Sequence, residues 1–331
     1  MAELPDGTLH DWSEIADEHD WKTLLIGNGL SRHIWEPFGY PKLFDYAQSA
    51  NLTDEDKALF ERTPNFERIL GELLTTIRVC KVVGVDTDPL YERYQNIQKA
   101  LGEAVKAVHL NRDAVPPETR QAMFDFMGQF EWIFTTNYDL LIYWAMAYGG
   151  WGSFVDHFRW NNRCEFDPTR SPVFAGQIGV YFLHGALHLV VDSEGKTLKL
   201  RRGFQTLLDQ FGQPIEGDLD SRPLLVTEGS AGDKLEAIDG NAYLSHALEE
   251  LRENDLDTVV LGSGLGAEDS HIADALSESA DRAVAVSMLP GPRAELLQKQ
   301  MDVHGRVEVH ELLFYDVTTH PLGAAELRIE P

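Results

Sequence analysis

The chain has 331 residues, a length that fits one large α/β domain and suffices to bury a real core. Its hydrophobic fraction of 43% and aromatic fraction of 10% are globular values, and it lacks the run of about 18 apolar residues that a membrane-spanning helix needs. Lys and Arg total 28 against 54 Asp and Glu, a formal charge of −26. Such a surface repels nucleic acid and anionic lipid at long range, which excludes direct nucleic-acid or membrane binding as an expectation, yet leaves room for a small anion held by local N–H groups.

Residues 1–20 are polar and acidic, and Met1-Ala2-Glu3-Leu4-Pro5-Asp6 does not resemble a signal peptide. Cys80 and Cys164 are the only cysteines, too few for a four-thiolate zinc site, so a cytoplasmic chain with two reduced thiols is expected. The first predicted strand, 22–27, runs into Gly27-Asn28-Gly29-Leu30-Ser31, a glycine-punctuated turn of the kind that lets backbone N–H groups approach a phosphate. The third glycine of the dinucleotide fingerprint is missing, since Arg32 stands in its place. That speaks against a conventional dehydrogenase, as does the lack of an acid-ended second strand about twenty positions on. Arg32 reads as a phosphate cation or as solvated surface, and Ser31 as a helix cap or a phosphate contact.

Residues 34–41, rich in Pro and aromatics, predict a structured loop over this turn. Over 42–130 the pattern is helical. Thr53 precedes an acidic first turn, Phe66, Ile69 and Leu70 repeat at helical spacing, Gly84 to Pro89 is a break, and Pro116-Pro117 starts a further helix. This stretch reads as a helical insertion within a single domain covering 1–331. Apolar, β-branched runs then predict strands at 132–135, 180–183, 223–226, 257–261, 283–287 and 307–309, with helices at 241–253 and 268–280. The expected fold class is therefore α/β: a Rossmann-like parallel sheet flanked by helices, with a helical insertion after the first strand.

In such a sheet ligands bind at the carboxyl ends of the strands. The Gly27–Ser31 turn, Asn137, His184 and Gly262-Ser263-Gly264 all fall just past predicted strand ends. Asn137 does not titrate, but it can hold a water or a ribose hydroxyl; it also suits a helix N-cap. Asp139 is ambiguous between helix-start charge and ribose partner. His184 suits a general base near neutral pH, or a satisfied edge histidine. His188, four residues on, would make a metal pair with it only on a helix; Gly185 and the Leu189-Val190-Val191 run favour a strand, so no metal is expected.

These pieces, in this order, resemble the sirtuins. Gly27-Asn28-Gly29-Leu30-Ser31 followed by Phe38-Gly39-Tyr40-Pro41-Lys42-Leu43-Phe44 is similar to Gly-Ala-Gly-Ile-Ser and Gly-Ile-Pro-x-Phe. Thr136-Asn137-Tyr138-Asp139 resembles Gln-Asn-Ile-Asp, His184-Gly185 the catalytic His-Gly, and Gly262-Ser263-Gly264-Leu265 the ribose loop Gly-Thr-Ser-Leu. Pro64-Asn65-Phe66-Glu67-Arg68-Ile69-Leu70 resembles a helix of bacterial sirtuin-like domains. Two cysteines cannot build the sirtuin zinc module, so the resemblance points away from deacetylation and to the bacterial NAD hydrolases of anti-phage defence.

It implies Asn137 and His184 as the catalytic pair, with Gly27, Asn28, Gly29, Ser31, Arg32, Asp139, Gly262 and Ser263 around the dinucleotide. NAD is then substrate, nicotinamide and ADP-ribose are products, and partners are an NAD or ADP-ribose-type ligand, with self-assembly or an activating defence partner. The alternatives are a non-catalytic NAD or ADP-ribose sensor and a sirtuin-like ADP-ribosyl transferase.

Overall fold

The structure, a computed structural model, describes residues 3–38, 44–47, 52–63, 66–158, 163–169, 176–192, 194–201, 207–210, 222–226 and 230–330. Parts of the resemblance, including residues 39–43 and 64–65, lie outside the described residues.

The fold is α/β. A seven-stranded sheet is built from β1 (Thr23–Ile26), β2 (Trp132–Thr135), β3 (Phe154–Val155), β4 (Ile178–Phe182), β8 (Thr258–Leu261), β9 (Ala283–Met288) and β10 (Glu311–Asp316), in the order β10-β9-β8-β1-β2-β4-β3. Every pairing in it is parallel. The central strands are buried along their whole length, as expected where helices cover both faces of a parallel sheet. Between β1 and β2, neighbours in the sheet, the described residues are helical: Asp54–Leu59, Phe66–Val83, Asp88–Val108 and Pro117–Met127. Thr53 caps the first of these by accepting from the Asp56 N–H at 3.2 Å. Gly84 follows the second with φ of 76°, a backbone that stops a helix and suits glycine.

Two expectations change. The run 223–226 does not join the parallel sheet. It forms β7 (Arg222–Leu225), antiparallel to β5 (Gly185–Val191) in a second sheet of order β6-β5-β7, where β6 is Thr197–Lys199. An edge place suits Pro223, which has no N–H for a second neighbour. The strand expected at 307–309 is instead the turn between the helix Arg293–His304 and β10. Val307 and Val309 are buried anchors on either side of exposed Glu308, an alternation that imitates a strand. The run Ile34–Phe38 ends the helix Asn28–Ile34 and makes one 3-10 turn, Glu36–Phe38. Among the described residues no helix is long and apolar enough to cross a membrane.

Candidate functional site

Four consecutive strands, β8-β1-β2-β4, bring the four sequence segments to one edge of the sheet. β1 ends at Ile26 before the glycine turn, β2 at Thr135 before Asn137, β4 at Phe182 before His184, and β8 at Leu261 before Gly262. The two glycine turns interlock. Gly27 N–H donates to the Leu261 carbonyl at 2.9 Å and Gly29 N–H to the Gly262 carbonyl at 2.7 Å. A Cβ on Gly29 would lie 2.7 Å from the Gly262 oxygen, and one on Gly262, where φ is 74°, would lie 2.4 Å from the Leu30 nitrogen. The glycines thus serve first to let two backbones touch, and the Gly27 and Gly29 N–H groups are not open to a ligand.

Ser31 sits inside the helix Asn28–Ile34, whose N-cap is Gly27, so it is not a cap. Its buried hydroxyl donates to Asp139 Oδ2 at 2.5 Å and accepts from Asn137 Nδ2 at 2.8 Å. The other Asp139 oxygen accepts from the Leu141 N–H at 2.8 Å, at the start of the helix Leu141–Gly149. One hydroxyl has one proton, and the carboxylate only accepts. Ser31 therefore must receive the amide's N–H, which fixes the Asn137 flip and leaves Oδ1 as an acceptor. That oxygen is buried and, among the described residues, has no hydrogen-bond partner. Beside this chain His109 Nε2 accepts from the Leu140 N–H at 2.9 Å, so Nδ1 carries the proton donated to the Leu110 carbonyl at 2.8 Å.

His184 lies between β4 and β5, and the chain turns there through Gly185 at φ 76°. A Cβ on Gly185 would meet the Leu224 oxygen at 2.1 Å. The segment is tied down on both sides: Leu183 N–H donates to Thr135 O at 2.8 Å, Leu187 N–H to Tyr138 O at 2.8 Å, and Val226 N–H to His184 O at 2.9 Å. The imidazole Nε2 lies 2.9 Å from Nε2 of His271, on the helix Ser270–Ser277, and 4.0 Å from Asp269 Oδ1. Lys234 Nζ reaches the same Asp269 oxygen at 2.8 Å.

Burial, then the Lys234 charge, pushes the His184 pKa down to about 3; Asp269 works the other way and His271 with Lys234. Burial likewise lowers His271 to about 4 against the pull of Asp269. Burial opposes the Asp269 charge, but His184 and Lys234 hold its pKa below the usual value. Both imidazoles are thus neutral at physiological pH, and one Nε2–H donates to the other's lone pair.

His184, Asp269 and His271 place ligand atoms within 4.8 Å of one another, a spacing that a transition metal ion could bridge. The Lys234 ammonium is already the cation on that carboxylate, and a second positive charge there would be repelled. His188 is no partner in such a set. It lies within β5, fully buried against Tyr143 and Phe182.

A cavity of about 750 Å³ opens on the glycine-turn side of the edge, between the helix Asn28–Ile34, the ends of β8 and β9, and the helix Arg293–His304. Of the expected site residues, Gly29, Arg32, Gly262 and Ser263 line it; Gly27, Asn28, Ser31, Asn137, Asp139 and His184 do not. Asn137 is 3% exposed and His184 4%, and no hydrogen bond joins their side chains. The link between cavity and histidine is the 3-10 turn Ala267–Asp269: Ala267 and Glu268 line the cavity while Asp269 faces His184. Sequence reasoning missed Lys234, Asp269 and His271. Its one available signal was the position of Asp269 and His271, five and seven residues past Gly264 at the same sheet edge.

No curated protein matches the chain. Among solved structures it is similar to Sir2Tm bound to a propionylated peptide, at 14% identity and a TM-score of 0.43 over 96% of each chain. It is also similar to a Sir2–p53 peptide–NAD+ structure, at 12% identity and 0.37 over 95% of this chain and 94% of that one. Values this low leave the chemistry to be read from the chain's own residues. The model of the family described as domain of unknown function DUF4917 matches residues 24–320, and the chain belongs to that family.

Proposed function

We propose that the chain hydrolyses NAD to nicotinamide and ADP-ribose at the carboxyl edge of its sheet, as an NAD-depleting anti-phage effector. The observation that carries this reading is Asn137 Oδ1, a buried acceptor whose direction Ser31 and Asp139 fix and which has no partner among the described residues. Cleaving the nicotinamide–ribose bond builds positive charge on the ribose, as in other glycosidic cleavages. The nicotinamide nitrogen takes the bonding electron pair and leaves neutral, so no strong acid is required. The protein must hold the ribose, shield its charge and deliver water.

In this reading Asn137 Oδ1 accepts an O–H of the attacking water or of a ribose hydroxyl. His184, kept neutral by burial, receives the proton released as the water oxygen bonds to the ribose carbon. The pyrophosphate lies against Arg32 and the Gly262–Gly264 turn, since the Gly27 and Gly29 N–H groups are engaged. The substrate reaches Asn137 and His184 once the Ala267–Asp269 turn moves, and self-assembly or a defence partner supplies that opening.

The test is purified protein with NAD, assayed for nicotinamide and ADP-ribose. His184→Ala and Asn137→Ala are each expected to lower turnover by about 10²–10⁴-fold. Equal turnover by both variants and the parent rejects the assignment. A second reading, an NAD or ADP-ribose sensor, is favoured by the burial of Asn137 and His184 outside the cavity. Calorimetric binding without product, with and without candidate partners, would select it.

A further inference from the structure

The cavity beside the glycine turns has a charge balance opposite to that of the whole chain. The chain has 28 Lys and Arg against 54 Asp and Glu. The cavity is lined by four cations, Arg32, Lys299, Arg306 and Arg328, against three carboxylates, Glu36, Glu268 and Asp302. Among the described residues none of the four cations is paired with a carboxylate. Asp302 is occupied along its own helix, where its Oδ1 accepts from Gln298 Nε2 at 2.9 Å. Cations left unpaired around a concavity, in a protein with so many acids to spare, mark a place for an anionic ligand.

The cations divide between two walls. Arg32 and Arg328 stand by the helix Asn28–Ile34, where Ile329 N–H donates to the Ile34 carbonyl at 2.8 Å. Lys299 and Arg306 belong to the segment that follows β9, and Arg306 Nη1 donates to the Leu265 carbonyl at 3.2 Å. Lys299 and Val303, at i and i+4, share the cavity-lining face of the helix Arg293–His304, and Arg306 follows just beyond its end. At such a sheet edge an acid near a strand end usually holds the hydroxyls of the adenosine ribose. Here β9 ends in Ser287, Met288 and then Leu289. Ser287 Oγ already accepts the Gly262 N–H at 2.8 Å, and Met288 and Leu289 are apolar. The end of β9 thus offers no carboxylate, and Lys299 and Arg306 line the same cavity.

We propose that this cavity takes a dinucleotide with a further phosphate on its adenosine ribose, of the NADP type in preference to the NAD type; the inference rests on the dinucleotide reading above. Arg32 and Arg328 face the pyrophosphate, and Lys299 and Arg306 the additional phosphate.

The test titrates the full chain by calorimetry with ADP-ribose and, separately, with ADP-ribose 2′-phosphate, so that binding is read without turnover. The phosphorylated ligand is expected to bind about tenfold tighter, the scale of one charge-assisted contact at a partly exposed site. Lys299→Gln is expected to cut that ratio about threefold, and Lys299→Gln with Arg306→Gln to abolish it. Lys299 is exposed, whereas Arg306 is half-buried and its Nη1 donates to the Leu265 carbonyl at 3.2 Å, so an unchanged urea midpoint of the double variant is required alongside the titration. Raising the salt is expected to shrink the ratio. ADP-ribose binding at least as tightly as its 2′-phosphate overturns the inference and leaves the hydrolysis reading standing. A preference that survives the double substitution also overturns it. If neither ligand binds, the inference and the dinucleotide reading fall together.

Discussion

The two polar clusters at the sheet edge keep their shape by opposite means. Around Asn137, a single hydroxyl proton on Ser31 allows one arrangement of hydrogen bonds, and that arrangement points an amide oxygen. Around His184, the Lys234–Asp269 ion pair carries the charge, while burial keeps two touching imidazoles neutral. The first cluster sets a direction; the second sets a protonation state. A hydrolytic site needs one of each, an oriented acceptor and an unprotonated base.

The largest effect is expected in the charged cluster. Asp269→Asn takes the Asp269 carboxylate away from the Lys234 ammonium, which is 2% exposed. The expected cost is about 3–5 kcal/mol in urea unfolding. Asp269→Asn combined with Lys234→Met should recover most of it. A single variant that loses less than about 1 kcal/mol would show that the cluster does not depend on its ion pair.

In the cluster around Asn137, Ser31→Ala leaves Asn137 Nδ2 and Asp139 Oδ2 without a shared partner. The loss expected in the same assay is about 1–3 kcal/mol. A neutral outcome would mean that the hydroxyl does not organise the pair.

The smallest effect distinguishes the clusters by pH. His184 and His271 are held down at about 3 and about 4 from 6.5. Above pH 6.5 folded and unfolded chains both keep them neutral. As pH falls from 6.5 toward 4, the unfolded chain binds protons that the folded chain refuses, so stability drops across that window. His109, His188 and His320 are shifted the same way by burial and add to the slope. Urea midpoints at pH 7, 6 and 5 should therefore decline, and His271→Gln should decline less steeply. Parallel profiles would place His271 outside the titrating set.

The sequence made the centre of the sheet readable and the periphery less so. β1, β2, β4, β8 and β9 are short apolar runs buried on both faces, and such runs stand out in any composition. The helix Arg293–His304 buries only Leu296, Gln300 and Val303, too few apolar positions to betray itself. Its neighbour β10 was displaced onto Val307-Glu308-Val309 because a buried–exposed–buried turn has the same two-residue period as a strand. The Ser31–Asn137–Asp139 chain joins segments already singled out by their place after β1 and β2. Lys234, Asp269 and His271 reach His184 only through the packing of helices over the sheet, and no local pattern reports that. The engagement of the Gly27 and Gly29 N–H groups was hidden for the same reason: their acceptors lie more than 230 residues along the chain.

The position of β1 between β2 and β8 has a consequence for biosynthesis. A nascent chain that has not yet emerged past residue 257 can pair Thr23–Ile26 on one side only, and offers an apolar edge strand on the other. The cavity likewise waits for the last third of the protein, which brings Gly262, Ser287 and the helix Arg293–His304. Contacts of such sequence separation form late and slowly, so a prematurely terminated chain would be adhesive and would lack the cavity.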